Sequence, residues 1–329
     1  MKNFCTLFDS YYIHKGIALY LSMEKVCNDF TLYVMAFDEE SYNKLKSFSF
    51  QNIVIEYESG DFLSDEIKAA KAERKRNEYC WTCGSNVTYY FIEKYKLDNI
   101  TYLDADMMFF SSPDIVFEEL KPYSVGLSPH FADTSLYGKF CVEFCYFKND
   151  QTGIDALKWW KDCCLDWCYD RYEDGKFGDQ RYLDMMPIKF HGVHSIENRG
   201  VGVAKWNMRE YKFLDNNRIE YEGKAYDVCF YHFHAVSVDY KKGNVYISSK
   251  KDVIPYNVIE NMFKPYGELM KIVYENYLGK RVNHVVISNP DILRRILQIL
   301  KDVFRHNKFI QAVYFNYIKG HTGYNKKQL

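Results

Sequence analysis

Along the first hundred residues, compact apolar runs alternate with stretches whose apolar positions recur every three or four residues. Phe4–Phe8 is a run of the first kind and stops at Asp9-Ser10. His14–Cys27 follows, with Ile17, Leu21 and Val26 at helical spacing. Thr31–Phe37 predicts a buried strand, Ser41–Phe48 a helix and Asn52–Tyr57 a third strand. Ser64–Glu78, centred on Lys-Ala-Ala-Lys-Ala-Glu-Arg, is rich in helix formers. Asn86–Tyr95 reads as another helix and Asn99–Leu103 as another strand. Strands separated by helical patterns imply βαβ units and a mostly parallel sheet flanked by helices, an α/β fold.

The second half is less regular. Val125–Ser128 and Phe140–Phe147 predict strands, and Thr152–Tyr172 a long helix. Phe190–Asn217 reads as loop-rich, ahead of a strand at Val228–Phe233. Beyond Pro255 the pattern turns helical. Asn289-Pro290-Asp291 is a strong helix start, and Leu293, Leu297, Leu300 and Phe304 then line one face. The expected organisation is one α/β domain over residues 1–250, with halves 1–110 and 111–250, and a helical appendage over 251–329.

Charge refines this division. The net charge of −1 hides an asymmetry: Lys280–Leu329 holds ten basic and two acidic residues, net +8, so residues 1–279 carry −9. A balanced total argues against a general nucleic-acid binder. The basic tail over 280–329, with Tyr314, Phe315 and Tyr317, suits either an anionic membrane surface or a helical dimer face. No signal-peptide apolar stretch follows Met1, no run of apolar residues is long enough to span a bilayer, and the ten Cys fit a reducing compartment. The expectation is a cytoplasmic protein, peripheral at the membrane if the tail binds lipid. Cys80-Trp81-Thr82-Cys83 could pair with Cys163, Cys164 and Cys168 around zinc, but that second group does not repeat the spacing, and core packing explains it better. An aromatic share of 18% is high and suits both core filling and contact with flat ligands.

The chemistry concentrates in Tyr102-Leu103-Asp104-Ala105-Asp106, where two carboxylates end an apolar strand. Ligands of open α/β sheets bind outside the carboxyl ends of strands. Paired carboxylates there are hard ligands for Mg²⁺ or Mn²⁺, and such an ion can bridge a diphosphate. Phosphatases of the haloacid dehalogenase type also use Asp-x-Asp after a strand. Their motif lies near the N-terminus with a different continuation from Met107-Met108.

Four segments in order, Cys5–Tyr12, Tyr102–Asp106, Gly178-Asp179-Gln180-Arg181-Tyr182-Leu183 and Tyr231-His232-Phe233, give a resemblance to a known family. The series resembles GT-A fold nucleotide-sugar glycosyltransferases, in particular the retaining family 8 type that includes glycogenin and lipopolysaccharide galactosyltransferases. The resemblance implies a Rossmann-like GT-A domain whose 1–110 half binds the nucleotide and whose 111–250 half binds the acceptor. It implies a nucleotide-diphosphate sugar as donor, with UDP the expected nucleotide, and a glycan or glycolipid acceptor, as in surface polysaccharide synthesis. The alternatives are an inverting GT-A transferase and a catalytically silent sugar- or nucleotide-binding scaffold.

Residue by residue, the resemblance places Asp9 and Tyr12 against the nucleoside, and Asp104 and Asp106 on the metal. A His after a late strand is the third metal ligand; His232 matches through the Phe that follows it, although His234 lies on the same face of the strand. Two carboxylates with an imidazole favour Mn²⁺ over Mg²⁺. Asp179 and Gln180 match the pair that lines the transferred sugar. Arg74, near Lys71 and Arg76, is placed on the diphosphate, and Trp206, beside Asn207, against donor or acceptor. The chain departs from the family at three points. Tyr89-Tyr90-Phe91 lacks the family's Arg, Ala235 replaces a Gly, and Cys141-Val142-Glu143 stands where an Asn-x-Gly strand is usual. Glu143 then either adapts the site to another sugar or sets a carboxylate beside the anomeric carbon for double displacement.

Overall fold

The computed structural model describes residues 1–132, 137–249 and 252–288. Strand β1 (Lys2–Phe8), helix α1 (Ile13–Val26), β2 (Phe30–Ala36), α2 (Glu39–Lys46) and β3 (Ile53–Tyr57) alternate as the apolar pattern predicts. Helix α2 starts ahead of Ser41 because the Asp38 carboxylate accepts the Ser41 backbone N–H at 2.7 Å. The single helix expected over Ser64–Glu78 is instead two, α3 (Asp65–Glu73) and α4 (Arg76–Tyr95), and the second absorbs the helix expected from Asn86. The chain breaks at Arg74, which is extended (φ −91°, ψ 150°). Glu78 then reaches back to the Lys75 N–H at 2.9 Å and caps the new helix.

Next come β4 (Asn99–Leu103), β5 (Met107–Phe109), α5 (Asp114–Leu120), β6 (Val125–Pro129), β7 (Phe140–Lys148) and α6 (Gln151–Asp166). Helix α6 stops short of Tyr172 because Trp167 turns extended. The stretch expected to be loop-rich carries short elements around α7 (Met186–Lys189): β8 (Val193–Ser195), β9 (Val203–Ala204) and β10 (Lys212–Leu214). The chain continues through β11 (Arg218–Tyr221), β12 (Lys224–Asp227), β13 (Phe230–His232), β14 (Val236–Lys241), β15 (Asn244–Ser249), α8 (Tyr256–Val258), α9 (Lys264–Ile272) and β16 (His284–Ser288).

Seven strands form the central sheet in the order β3-β2-β1-β4-β7-β6-β8. Only β7 runs against its neighbours β4 and β6, so the sheet is mostly parallel, as expected of this α/β chain. Strand alternation sends side chains to both faces. Phe4, Phe8, Leu103, Phe144 and Tyr146 join Ile17 and Tyr20 of α1 on one face. Cys5, Leu7, Ile100, Tyr102, Cys145 and Phe147 meet Val87 and Phe91 of α4 and Trp160 of α6 on the other. Burial on both faces is what makes these strands read as continuous apolar runs.

Of the segment expected as an appendage from 251 onward, the described part joins the first of these layers. Helices α8 and α9 are linked through a π-turn at Ile259–Phe263, and Met262, Tyr266 and Met270 pack in the same cluster as α1. The Tyr266 ring stacks on Phe233 at 3.8 Å between centroids. Strand β16 pairs in parallel with β15. The amphipathic helix expected from Asn289, and with it most of the basic stretch 280–329, lies outside the described residues. Among the described residues no helix is long and apolar enough to cross a membrane.

Candidate active site

The parallel strands β1 and β4 end at the same edge of the sheet, which delivers Asp9 and Asp104 side by side with the start of α1. After Asp104-Ala105-Asp106 the chain turns directly into β5. That strand, with β13 and β9, makes a three-stranded sheet across the carboxyl edge. Its register sets Met107 opposite His232 and Tyr231 opposite Met108. The Phe233 N–H donates to the Asp106 carbonyl at 2.9 Å, so the backbone ladder itself brings the imidazole to the carboxylates.

His232 Nε2 lies 3.1 Å from Asp106 Oδ1 and 3.5 Å from Asp104 Oδ2. One ligand atom from each of Asp104, Asp106 and His232 falls within 4.8 Å of the others. The opposite ring nitrogen, Nδ1, is 2.5 Å from Glu143 Oε2. The geometry therefore separates His232 from His234: His232 is buried inside the cluster, whereas His234 is exposed beside it.

Burial alone would lower the His232 pKa, but the facing Asp106 and Glu143 carboxylates raise it well above the ordinary imidazole range. Asp104 is pushed up, first by burial and then by the charges of Asp106 and Glu143, against the pull of His232. Asp106 goes the other way. Burial opposes its ionisation, yet Lys15 and His232 together hold it well below the carboxylate range. Lys15 is a buried cation whose Nζ sits 3.4 Å from Asp106 Oδ2 and donates to the Val236 carbonyl at 3.0 Å. Asp179 is buried nearby, its pKa raised by burial and by Asp104.

A divalent cation fits this donor set. Two carboxylates and an imidazole point one oxygen or nitrogen each at a common volume, and the carboxylate on Nδ1 leaves Nε2 to face it.

The other sequence-expected residues divide. Tyr12 caps α1 at the same edge, with Lys15 Nζ 4.4 Å over its ring. Asp9 Oδ1 accepts the backbone N–H groups of Tyr11 and Tyr12 at 3.1 and 3.3 Å, and its other oxygen pairs with Arg76. Gln180 donates through Nε2 to the Tyr137 carbonyl at 2.7 Å, next to Asp179, whose own carbonyl is held by Trp160 Nε1.

Arg74 is not brought to the cluster. It is buried, and its guanidinium donates to Thr82 and to the Cys164 and Leu165 carbonyls. Those carbonyls are orphan acceptors of the last turn of α6, so this cation serves a helix terminus and not a diphosphate. Glu143 is not placed as a nucleophile either. It is fully buried, with one oxygen on His232 and the other accepting from Ser128 Oγ at 3.1 Å. Trp206 stands edge-on to the His232 ring at 5.5 Å and 86°, forming a wall of the cluster of Asp104, Asp106 and His232. Asn207 is an internal bracket, accepting from Ala204 and donating to the carbonyls of His130 and Gly202.

Two residues of the cluster were missed by the sequence reading. Lys15 carried a faint signal, a cation in the first turn of a helix set among Ile13, Gly16 and Ile17, which are all buried. Ser128, at the end of an apolar strand, carried none.

No family model matches the chain. The chain is 31% identical over 244 residues to the uncharacterized protein YfnF of Bacillus subtilis (strain 168), covering 70% of this chain and 80% of that one. It is 28% identical over 240 residues to YfnD of the same organism, covering 70% and 76%. Among solved structures it is similar to the glycosyltransferase GlyE of Streptococcus pneumoniae TIGR4, with a TM-score of 0.44 and 14% identity over 63% of this chain and 48% of that chain. It is also similar to an active-site mutant of LgtC, with a TM-score of 0.46 and 13% identity over 70% and 86%.

Proposed function

The chain belongs to the family of YfnF and YfnD, and we propose that it is a metal-dependent GT-A glycosyltransferase. It moves a sugar from a nucleotide-diphosphate donor, a UDP-sugar in the first instance, to a hydroxyl of a glycan or glycolipid. The observation that carries this reading is the convergence of Asp104, Asp106 and His232 at the carboxyl edge of a mostly parallel sheet. The ordered motifs that resemble family 8 supply the substrate class.

Asp104, Asp106 and His232 would hold the cation, and the imidazole favours Mn²⁺ over Mg²⁺. When bound, such an ion neutralises charge on a leaving diphosphate. The protein's own groups do the rest. Tyr12 and Asp9 sit on the turn after β1, and the resemblance assigns them to the nucleoside within the 1–110 half. Asp179 and Gln180 face the sugar. Because Gln180 donates through its amide nitrogen to Tyr137, its carbonyl oxygen is left to stabilise positive charge at the anomeric carbon; the resemblance to the retaining type is what supports retention. Burial behind His232 removes Glu143 from any double displacement.

The test is donor turnover. Mn²⁺-dependent release of UDP from one of a panel of UDP-sugars, abolished by chelation and by Asp104→Asn with Asp106→Asn, is the expected result. Full turnover in that double variant would sink the metal assignment. Binding of the nucleotide sugar without any release would instead identify a silent scaffold.

A further inference from the structure

The segment Val201–Asn207 and strand β7 build a fitted pocket around a single carboxylate. Glu143 has no exposed surface. Its Oε1 accepts from Ser128, and its Oε2 faces His232 Nδ1 at 2.5 Å. Over it lies Gly202, in the left-handed region (φ +72°), where an added Cβ would sit 2.6 Å from Glu143 Oε1 and 2.7 Å from Ser128 Oγ. No other residue type fits there without displacing the acid. The Gly202 carbonyl is pinned by Asn207 Nδ2 at 2.8 Å, and Trp206 on the same segment closes the His232 ring edge-on. A buried carboxylate is costly unless fully partnered. Here two partners and a glycine lid are devoted to one.

We propose that Glu143 is a positioning residue. It fixes the His232 ring and its Nδ1–H tautomer so that Nε2 presents its lone pair to a divalent cation held with Asp104 and Asp106. The proposal rests on the metal-site reading above and adds to it a residue that touches neither cation nor substrate. A ligating imidazole whose other N–H is held by a carboxylate has its rotation and tautomer set, and loss of such a partner costs on the order of 10- to 100-fold in metal affinity. The glycine over the carboxylate extends the device: removing the acid and displacing it have the same consequence. Cys141 Sγ forms a second three-donor group with Glu143 and His232. That group is wholly buried, and its imidazole nitrogen and carboxylate already satisfy each other, so it does not hold the ion.

The experiment measures Mn²⁺ affinity by titration calorimetry and the His232 tautomer by ¹⁵N NMR of the ring nitrogens, recorded with diamagnetic Mg²⁺ at the concentration that loads wild type, because the metal-free ring is an imidazolium held between two carboxylates. Wild type is compared with Glu143→Ala, Glu143→Gln and Gly202→Ala, each checked for folding by its thermal transition. Glu143→Ala and Gly202→Ala should bind Mn²⁺ about 10- to 100-fold more weakly and lose the single tautomer. Glu143→Gln keeps an acceptor for Nδ1–H and should stay within severalfold of wild type. If Glu143→Ala fails to fold, the other two variants carry the comparison.

Wild type that binds no Mn²⁺ would overturn the metal site itself. Wild type that binds, with Glu143→Ala of equal affinity and unchanged tautomer, would overturn only the role of Glu143. Loss of turnover with affinity intact would place Glu143 on the substrate and equally overturn the proposal. A Co²⁺ derivative showing thiolate-to-metal charge transfer, lost in Cys141→Ser, would put the ion on the wrong side of the ring.

Discussion

Replacing Lys15 by Met removes the buried ammonium facing Asp106, and a double-mutant cycle with Asp106→Asn isolates what that pair contributes. The side chains are 5% and 12% exposed and 3.4 Å apart. At an effective dielectric of about 20 the gross attraction at that separation is about 5 kcal/mol. Much of this is offset by the desolvation of two charges, but deleting the ammonium leaves the buried Asp106 with His232 as its remaining cationic partner, and breaking a buried pair typically costs about 3–5 kcal/mol. Lys15 also donates to the Val236 carbonyl, a bond worth about 1 kcal/mol that is lost whatever stands at 106. Lys15→Met should therefore cost about 3–5 kcal/mol in the native background and about 1–2 kcal/mol in the Asp106→Asn background, a coupling of about 2–3 kcal/mol. At roughly 2 °C per kcal/mol for a chain of this size, the single variant melts about 6–10 °C lower. The assay is thermal unfolding in chelator, so that no metal compensates the charge lost beside Asp106. Equal costs in the two backgrounds would refute the ion pair as the reason Lys15 is buried.

Ala235 holds φ +57° in the turn that follows His232, where the Val236 N–H closes on the Phe233 carbonyl. Ala235→Gly relieves about 1–2 kcal/mol of left-handed strain and returns part of it as unfolded-chain entropy, so a net gain of about 0.5–1 kcal/mol is expected; a lower melting temperature would contradict it. Burial, with a smaller contribution from the Lys15 charge, pushes His14 from 6.5 down to about 3. The unfolded chain then binds the extra proton between those values, so the stability due to neutral His14 is complete above pH 6.5 and drains away as pH falls toward 3. Between pH 7 and pH 4.5 the melting temperature of His14→Phe should fall less than that of wild type, and an identical drop would contradict the assignment.

What the sequence disclosed follows from where information is local. The strands of the parallel sheet were legible because both their faces are buried, which writes largely apolar runs, broken only by Thr and Asn, into Phe4–Phe8, Thr31–Phe37 and Asn99–Leu103. The end of an apolar strand likewise announced Asp104 and Asp106. The break between α3 and α4 was illegible, because Lys-Ala-Ala-Lys-Ala-Glu-Arg favours one continuous helix and the competing force is distant: Arg74 binds the carbonyls of Cys164 and Leu165, 90 and 91 positions away. The same partnership took Arg74 away from the diphosphate role its charge suggested. Strand β5 is three residues long and continues straight from the Asp-Ala-Asp turn, so it has neither length nor boundary to mark it. Glu143 was visible as an anomaly, but whether a buried acid attacks, binds or braces depends on partners at 128, 202 and 232 that no local pattern links.

The ladder between β5 and β13 has a consequence for the order in which the protein can mature. His232 meets Asp106 across 126 positions, and Lys15 reaches Val236 across 221. During translation the carboxylates leave the ribosome well before the imidazole, by about 6–25 s at ordinary elongation speeds. Throughout that interval Met107–Phe109 lacks the strand it pairs with in the finished fold, and Asp106 has only Lys15 as a counter-charge. A chain released before residue 230 holds the two acids without the histidine that completes the proposed metal site. On the proposed metal site, capture of an ion is thereby tied to completion of the domain, and a nascent or clipped chain lacks the third donor.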